Sequence, residues 1–489
     1  MKELRIRFAN CPDYAKLMLI VGLITAVPLF VLPFYPEEIA HASSFYIPSV
    51  TSVILGLIYC QEKTSGGGLF ARRSTLARSS LTILFSWGWA FLIGAMPFML
   101  SRELSFVQSL FESVCGYTTT AFTVMDVAAV PKMFLFHRSF MEFCGGIAFI
   151  IMVVMFVADT YSMDLYSADD HRPRLMPNLR YTAVLVIRIF LALLVIGTSA
   201  YCAAGMDLFE GLCTAMSVLS TGGFSVRAGS IGSYNSLAVE AVTVILMLVG
   251  MVNFAVLLLL ARRKFRQFAR VSEIRFMFAV IFIAIIIVTA SLLASGSSFA
   301  ASLRPAVFNV LSALSTTGFA TADFTLWPAF AKGVLMLLML AGGCFGSMSG
   351  GIKLARIYIM LRLVVQNLRR RISSFHAVTS LSYVTAQGET PISRSLVADT
   401  TAFISCYLGI FTLGSLLLTL TAGCSLGEAM FEFASAMGTV GISAGITGPE
   451  ASTGTLLVEM AGMILGQLEI FIVFIGAYSL IRKIKRLFS

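Results

Sequence analysis

Charged residues are scarce in this chain of 489 residues: Asp, Glu, Lys and Arg together make up 12%, against 58% for the apolar types. An ordinary soluble domain carries about 25% charged residues, so the composition excludes a water-soluble globular protein. The apolar residues come in blocks of about twenty, a length that crosses roughly 30 Å of hydrocarbon as a helix. The sequence therefore predicts an all-α, polytopic membrane protein.

Signatures of catalysis and of metal binding are also absent from the sequence. It has no Walker A loop, no dinucleotide fingerprint and no nucleophile with a base at recognisable spacing, so we predict that it is not an enzyme and holds no organic cofactor. The four histidines have no ligand spacing, and the nine cysteines include no C-x-x-C pair. We interpret the cysteines as small hydrophobic residues rather than as disulfide partners or metal ligands.

Hydropathy predicts the spans, and the basic residues predict their orientation. Windows of about nineteen residues give ten spans, at 15–35, 44–60, 79–100, 138–159, 181–204, 237–261, 274–296, 330–366 (interrupted), 395–422 and 454–481. Of the 35 Lys and Arg residues, 28 lie at 1–16, 61–78, 171–180, 262–275, 353–394 and 482–489. The positive-inside rule places these segments and both termini in the cytoplasm. The net charge of +10 is thus spread over loops, which argues against a nucleic-acid partner; stretches 262–275 and 362–371 could dock a cytoplasmic regulator or anionic lipid.

One motif occurs four times in the outward-facing connections, as FESVCGYTTTAF (111–122), CTAMSVLSTGGF (213–224), FNVLSALSTTGF (308–319) and FEFASAMGTVGI (431–442). The copies align without a gap. We call their polar ends Thr loops 1 to 4, and we predict that they bind the transported ion: Thr118, Thr119, Thr120 and Ala121; Ser220, Thr221, Gly222 and Gly223; Ser315, Thr316, Thr317 and Gly318; Gly438, Thr439, Val440 and Gly441. A single S-T-x-G is usually a turn, whereas four copies in register indicate a repeated unit of span, short helix, Thr loop and span.

The bilayer gives these repeats a physical meaning. An apolar stretch of about ten residues enters the membrane only halfway, and non-helical backbone at that depth must be buried in protein or line a water-filled cavity. The C-terminal end of each short helix carries roughly half a negative charge. Glycine in the last column permits positive φ, which turns carbonyls inward. Four such units around one axis would form a cation site.

We therefore divide the chain into two additional N-terminal spans (1–78) and four quasi-equivalent pore units around one pseudo-fourfold pore, at 79–170, 171–270, 271–394 and 395–489. An alternative is a secondary transporter that moves an organic solute, or a cation coupled to sodium, by alternating access. That class predicts two inverted repeats and a midplane pocket closed on one side, instead of four loops around one axis.

With these four loops, the chain from about residue 79 resembles the Trk/Ktr/HKT superfamily of potassium transporters, and it is most similar to the TrkH-type bacterial potassium uptake subunits. Three further segments carry the resemblance: R-S-F-M-E-F-C-G-G (138–146), G-G-C-F-G-S-M-S-G-G-I-K (342–353) and G-Q-L-E (466–469). The resemblance implies a potassium-selective pore in the inner membrane, a homodimer, and a cytoplasmic nucleotide-binding, TrkA-like ring that gates it.

Three positions depart from the family pattern. Ala121 stands where the first loop of the family has Gly, so either this loop keeps a negative φ or the site is widened. In the plant branch of the superfamily, a small non-Gly residue here accompanies sodium permeability, which leaves the choice between potassium and sodium open. Gln467 replaces the Arg of the family's G-R-L-E, a cation that projects toward the pore below the filter, and Met348 replaces a Thr.

The glycine-rich segment 342–351 should break the eighth predicted span, because each Gly lowers helix stability by roughly 1 kcal/mol. It is either a gate or a packing seam of small residues between helices. The gate residues that we predict are Gly346, Ser347, Ser349, Gly350, Gly351, Lys353 and Gln467. Lys353 would then either approach the pore axis or snorkel to the cytoplasmic headgroups.

Polar residues inside the apolar repeats are the remaining candidates. Glu112, Thr214, Asn309 and Glu432 share one column, and they either hydrogen-bond the loop backbone from behind or are solvated on the outer face. Arg138 and Glu142 are spaced i,i+4, which predicts a local ion pair.

Overall fold

The structure is a computed structural model, and it describes residues 11–61, 75–156, 179–372 and 381–487. These residues form eighteen α-helices, joined by turns and by short 3-10 segments. In chain order the helices are α1 Asp13–Ala26, α2 Ala42–Gln61, α3 Thr75–Leu100, α4 Phe106–Tyr117, α5 Lys132–Phe156, α6 Leu179–Ala203, α7 Leu208–Leu219, α8 Leu237–Met251, α9 Phe254–Ala261, α10 Phe265–Arg270, α11 Ser272–Ala294, α12 Phe299–Ser315, α13 Ala329–Ala341, α14 Leu354–Ile372, α15 Arg394–Ala422, α16 Leu426–Met437, α17 Thr453–Gln467 and α18 Ile470–Leu487.

Membrane-length helices are fewer than the ten predicted spans. Within the described ranges, six helices are long and apolar enough to cross a membrane, and the number rises to eight if two bent pairs each count as one span. The pairs are α8–α9, bent by 116°, and α17–α18, bent by 107°. The predicted span 138–159 corresponds to α5 and ends outside the described residues. The predicted span 330–366 is broken into α13 and α14, as its glycines required.

The four short helices α4, α7, α12 and α16 are largely buried. Each begins with a side chain that accepts a hydrogen bond from the first turn: Ser105, Asp207, Ser298 and Ser425. Two of these caps are full capping boxes, completed by Gln108 and Glu428. Such caps satisfy N–H groups that would otherwise be orphaned, so each helix starts at a fixed residue and presents its other end to the interior.

The two N-terminal helices pack antiparallel and contact the N-terminal end of α5. Glu38, between α1 and α2, accepts hydrogen bonds from the backbone N–H groups of Lys132 (2.7 Å) and Met133 (2.8 Å). A carboxylate at a helix N-terminus is stabilising, so this contact fixes where α5 starts. Cys11 and Cys60 are joined as a disulfide between the paired ends of α1 and α2. Our interpretation of all cysteines as unpaired was therefore wrong for these two.

One small β-hairpin departs from the predicted all-α fold. Strands β1 (Ser382–Thr385) and β2 (Gly388–Pro391) pair antiparallel between α14 and α15. The Val384 N–H donates to the Ser272 hydroxyl at the start of α11 over 3.0 Å, which attaches the hairpin to the helix bundle. The predicted basic segments 61–78 and 171–180 lie mostly outside the described residues, as do parts of 1–16, 353–394 and 482–489.

Candidate functional site

The four Thr loops converge in the interior of the molecule. The Ala121 N–H in loop 1 donates to the Val440 carbonyl in loop 4 over 3.2 Å. A methyl group placed on Gly223 of loop 2 would lie 1.8 Å from the Thr317 oxygen of loop 3, and one placed on Gly318 would lie 1.9 Å from the Val440 oxygen. Segments that are roughly one hundred to three hundred residues apart in sequence are therefore in backbone contact, as expected of repeats that pack around one another.

Each short helix ends in the same left-handed turn, at the Thr column. The φ angles are 55° at Thr119, 54° at Thr221, 59° at Thr316 and 53° at Thr439. The following N–H bonds back to the carbonyl five residues earlier, for example from Thr120 to Cys115 over 2.9 Å. This is the Schellman ending that usually contains glycine. A β-branched residue with this φ is strained by about 1–3 kcal/mol. The left-handed conformation must therefore be imposed by the loop geometry, and it occurs in all four loops. The residue pattern did not predict left-handed threonines.

The final column behaves as predicted for glycine. Gly223, Gly318 and Gly441 have φ of 89°, 79° and 87°, while Ala121 does not take a positive φ. Of the two alternatives for loop 1, the structure therefore contains the first, a loop that keeps negative φ. Thr loops 2 to 4 alternate a left-handed Thr with a left-handed Gly, and loop 1 follows this pattern only at its Thr.

Three hydroxyls of the Thr column are buried without a hydrogen-bond partner among the described residues: those of Thr119, Thr221 and Thr439. The fourth, on Thr316, accepts a hydrogen bond from the Gly350 N–H over 3.0 Å. Buried hydroxyls are ordinarily satisfied, so these three are exceptions that no contact among the described residues explains.

The polar residues that share one column of the short helices hydrogen-bond the segments that follow the Thr loops. In three units, the side chain accepts from a backbone N–H twelve residues further on: Glu112 from Val124 (2.7 Å), Asn309 from Thr321 (3.3 Å) and Glu432 from Ala444 (2.6 Å). These side chains are buried, so the alternative of solvated outer residues was wrong for them. In the second unit Glu142 of α5 takes this role, and both of its oxygens accept from the Phe224 N–H, at 3.1 and 3.2 Å.

Arg138 contacts Glu112 on α4 and Phe224 after Thr loop 2 instead of pairing with Glu142. Its Nε donates to Glu112 Oε2 over 3.1 Å, and both side chains are almost fully buried. Its guanidinium also lies 3.9 Å from the ring centroid of Phe224, which directly follows loop 2. The predicted i,i+4 pair was therefore wrong, because a partner on the adjacent short helix takes the guanidinium while Glu142 is used by a backbone N–H.

The glycine-rich segment forms a loop between α13 and α14 that is attached at both of its ends. On the side of the Thr loops, Gly350 donates to Thr316, and a methyl group on Gly350 would lie 2.3 Å from the Gly438 oxygen. On its other side, the Phe345 N–H donates to Glu273 of α11 over 2.6 Å, and Asn253 at the α8–α9 bend donates to the Phe345 carbonyl. Asn253 and Glu273 were not singled out from the sequence.

The remaining predicted gate residues lie in or beside this loop. The hydroxyls of Ser347 and Ser349 are 2.6 Å apart. Lys353 is 3% exposed and donates to the Ser349 carbonyl, so the snorkelling alternative was wrong. Gln467 ends α17 and is buried, with neither amide atom hydrogen-bonded among the described residues. Two residues later, Glu469 pairs with Arg356 of α14 over 2.9 Å.

A cavity of about 250 Å3 lies over the Thr loops and is lined by Ala121, Gly223, Gly318, Gly441, Arg138 and Asp323, among others. The Asp323 carboxylate accepts from the Thr325 hydroxyl (2.7 Å) and N–H (2.9 Å). These two donors lower the pKa of Asp323, because they favour its charged form. The residues of the final column therefore face an open mouth that carries charges of both signs.

These features define a class: a polytopic membrane protein with short helices that end inside the bundle and four backbone loops that meet there. No group of three or more metal-binding side chains occurs in the part of the chain that the structure describes. The profile of the TrkH family, described as "Cation transport protein", matches residues 69–481. The chain therefore belongs to the TrkH cation transport family and is a membrane transporter rather than an enzyme.

Individual relatives extend over nearly the same length. The Trk system potassium uptake protein TrkH of Halomonas elongata is 30% identical over 422 residues, which cover 82% of this chain and 86% of that protein. The Trk system potassium uptake protein TrkG of Escherichia coli is 30% identical over 479 residues, covering 92% and 93%. The crystal structure of the potassium transporter TrkH from Vibrio parahaemolyticus matches with a TM-score of 0.80 at 24% identity, covering 95% and 98%. This last likeness concerns the fold.

Proposed function

We propose that the chain takes up potassium across the bacterial inner membrane, with the four Thr loops as the selectivity filter. The observation that carries this proposal is their convergence: four helix ends, each in the same left-handed turn, meet with their backbones in contact. Relatives at 30% identity are named potassium uptake proteins, which supports potassium as the substrate. The alternating-access alternative has no comparable support, since it expects two repeats.

Electrostatics favours four units over one. Four helix C-termini, each with about half a negative charge and about 8 Å from an ion, attract it by about 4 kcal/mol at an effective dielectric constant near 20, against about 1 kcal/mol for a single helix. Alternating left-handed Thr and Gly residues turn successive carbonyls to one side of the chain. Those carbonyls and the free Thr hydroxyls would replace the water shell of the ion.

Flux measurements on the purified protein in liposomes test the function. We expect uptake of potassium and rubidium, with weaker competition by sodium. A protein that carries only sodium, or whose flux requires an organic solute, would contradict the proposal. Lipid composition should be varied in the same assay, because the basic cytoplasmic segments can bind anionic lipid.

Replacing Ala121 by Gly is expected to raise the permeability of potassium relative to sodium. Glycine would allow loop 1 the positive φ that the other three loops have, and it would complete the quasi-equivalent ring of carbonyls. The measurement is the ratio of potassium to sodium flux in liposomes. Ala129→Gly, on an exposed turn of the same outer segment, is the control; an equal ratio in all three proteins would remove Ala121 from the selectivity argument.

We further propose that the glycine-rich loop is the gate, formed by Gly346, Ser347, Ser349, Gly350, Gly351 and Lys353 together with Gln467. The loop lies against loops 3 and 4 through Thr316 and Gly438. Its other attachments are Asn253 at the α8–α9 bend and Glu273 of α11. Motion of those helices would move the loop.

The variant Asn253→Asp is expected to raise potassium uptake in the absence of any cytoplasmic partner. Asp keeps the cap of α9, where Asn253 now accepts from the Ala255 N–H over 2.7 Å, because Asn and Asp cap helices equally well. It cannot donate to the Phe345 carbonyl, so the gate loop loses one attachment. Asn235→Asp makes the same chemical change on the outer surface and should leave uptake unaltered. An unchanged rate in Asn253→Asp would separate this contact from gating.

The family and the charge pattern support a proposal for the larger assembly. We propose a homodimer with both termini in the cytoplasm, the four pore units at the boundaries given above, and a nucleotide-binding ring on the cytoplasmic face. The exposed basic residues of α10 and of the α14 end, among them Arg369, Arg370 and Arg371, are the docking surface for that ring.

A further inference from the structure

Two buried carboxylates lie behind Thr loop 4. Glu432 is on α16 and Glu459 on α17, and both side chains are fully buried. The Thr447 hydroxyl joins them, with its oxygen 2.5 Å from Glu432 Oε1 and 2.9 Å from Glu459 Oε1. The second oxygen of Glu459 has no hydrogen-bond partner among the described residues.

Two hydrogen bonds link Thr447 to the two carboxylates, and each bond needs a proton. If both carboxylates were ionised, only one proton would be present, so a second is required. A hydroxyl carries a single proton and an ionised carboxylate carries none, so Thr447 can donate to only one of the two. Glu432 already accepts from the N–H groups of Ala444 (2.6 Å) and Thr447 (3.0 Å) and from the Ser443 hydroxyl (2.6 Å), which suits an anion. Glu459 has Thr447 alone, which suits an acid that donates to it.

In the first pore unit, the corresponding buried carboxylate is neutralised by an arginine instead of by a proton. There Glu112, in the same column as Glu432, is neutralised by Arg138 from the span that follows loop 1. In the fourth unit, the span that follows loop 4 contributes Glu459. Two buried charges of the same sign without a cation are strongly unfavourable, so a bound proton has to replace the guanidinium.

The surrounding charges do not offer another neutralising group. No ion pair to Glu432 or Glu459 occurs among the described Lys and Arg residues. The charged residues of α15, Arg394 and Asp399, lie in its first two turns, at the opposite end from α16. Among the described residues, the other titratable groups that interact electrostatically with the pair are Cys115 on α4 and Cys424 before α16. Glu428, in the first turn of α16, interacts with Cys424 and with Lys332 of α13.

We propose that Glu459 is a proton-binding site. Its carboxylic acid donates to Thr447, which in turn donates to Glu432, and this chain of hydrogen bonds keeps Glu432 in contact with the segment that follows Thr loop 4. The proton is a structural ligand of the loop, in the role that Arg138 has in the first unit. This inference does not depend on which ion crosses the filter, and it can be tested without transport.

Infrared spectroscopy of the purified protein at neutral pH tests for the acid directly. The spectrum of the unmodified protein minus that of Glu459→Gln is expected to contain the C=O absorption of one buried, protonated carboxyl, which separates Glu459 from any other buried carboxyl. Glu428→Gln, which changes an exposed carboxylate, should keep the absorption. A difference spectrum without this absorption, in both potassium and sodium buffers, would overturn the proposal; a sodium or potassium ion between two ionised carboxylates would give that result.

Thermal unfolding provides a second readout. The folded protein binds one proton more than the unfolded chain, so stability should fall as pH rises, and Glu459→Gln should remove that part of the slope. Its amide can donate to Thr447 as the acid does, so we expect a melting temperature close to that of the unmodified protein at neutral pH. Identical pH slopes for the two proteins would contradict the assignment.

Discussion

Gly318→Ala is expected to abolish potassium uptake while the protein still inserts into the membrane. The added methyl group would lie 1.9 Å from the Val440 carbonyl oxygen and 2.8 Å from the Ala121 side chain. Gly318 also has φ of 79°, where an L-residue with a side chain is strained by roughly 1–2 kcal/mol. Loops 3 and 4 cannot both keep their positions, so the proposed ring of carbonyls would be lost. Growth of a potassium-uptake-deficient bacterium at low potassium measures the effect.

A matched control separates the filter from glycine content in general. Gly333 lies on α13 in the same unit, and a methyl group there would touch nothing within 4 Å. Gly333→Ala should therefore support growth as the unmodified protein does. Membrane abundance and the melting temperature in detergent must be measured for both variants. Normal growth with Gly318→Ala would refute the assignment of the Thr loops as the filter.

The sequence predicted the repeat well because a repeat needs no knowledge of tertiary structure. Four gapless copies fixed the Thr and Gly columns, and backbone sterics then required positive φ at the glycines, as Gly223 and Gly318 show. Comparing the copies also identified the buried column of Glu112, Asn309 and Glu432. The left-handed Thr residues could not be predicted, because glycine is the residue usually found at that position. Threonine takes this conformation here because contacts between the loops require it.

Contacts between distant segments were beyond sequence reasoning. The i,i+4 rule favoured Arg138 with Glu142, yet packing of α5 against α4 and α7 gives each a different partner. Asn253 carried a usable signal, since an Asn in a long apolar run is a typical helix cap. Glu459 carried a weaker one: a carboxylate within a membrane span is a functional candidate by default.

Replacing Arg138 by Met is expected to cause the largest loss of stability among the substitutions considered. The variant leaves the Glu112 carboxylate buried without its cation, and breaking a buried ion pair in this way costs about 3–5 kcal/mol. It also removes the guanidinium from the Phe224 ring, which lies directly after loop 2. We expect a much lower melting temperature in detergent and little potassium uptake.

The double variant Arg138→Met with Glu112→Gln distinguishes an unpaired charge from lost packing. Gln keeps an oxygen that can accept from Val124 and Thr123, as Glu112 does at 2.7 and 2.6 Å, and it carries no charge. Replacing both members of a buried pair by neutral groups is far less destabilising than removing one. The melting temperature should therefore recover most of the loss. If the double variant were as unstable as Arg138→Met alone, the guanidinium would act through its contact with Phe224 rather than through Glu112, and loop 2 rather than loop 1 would depend on it.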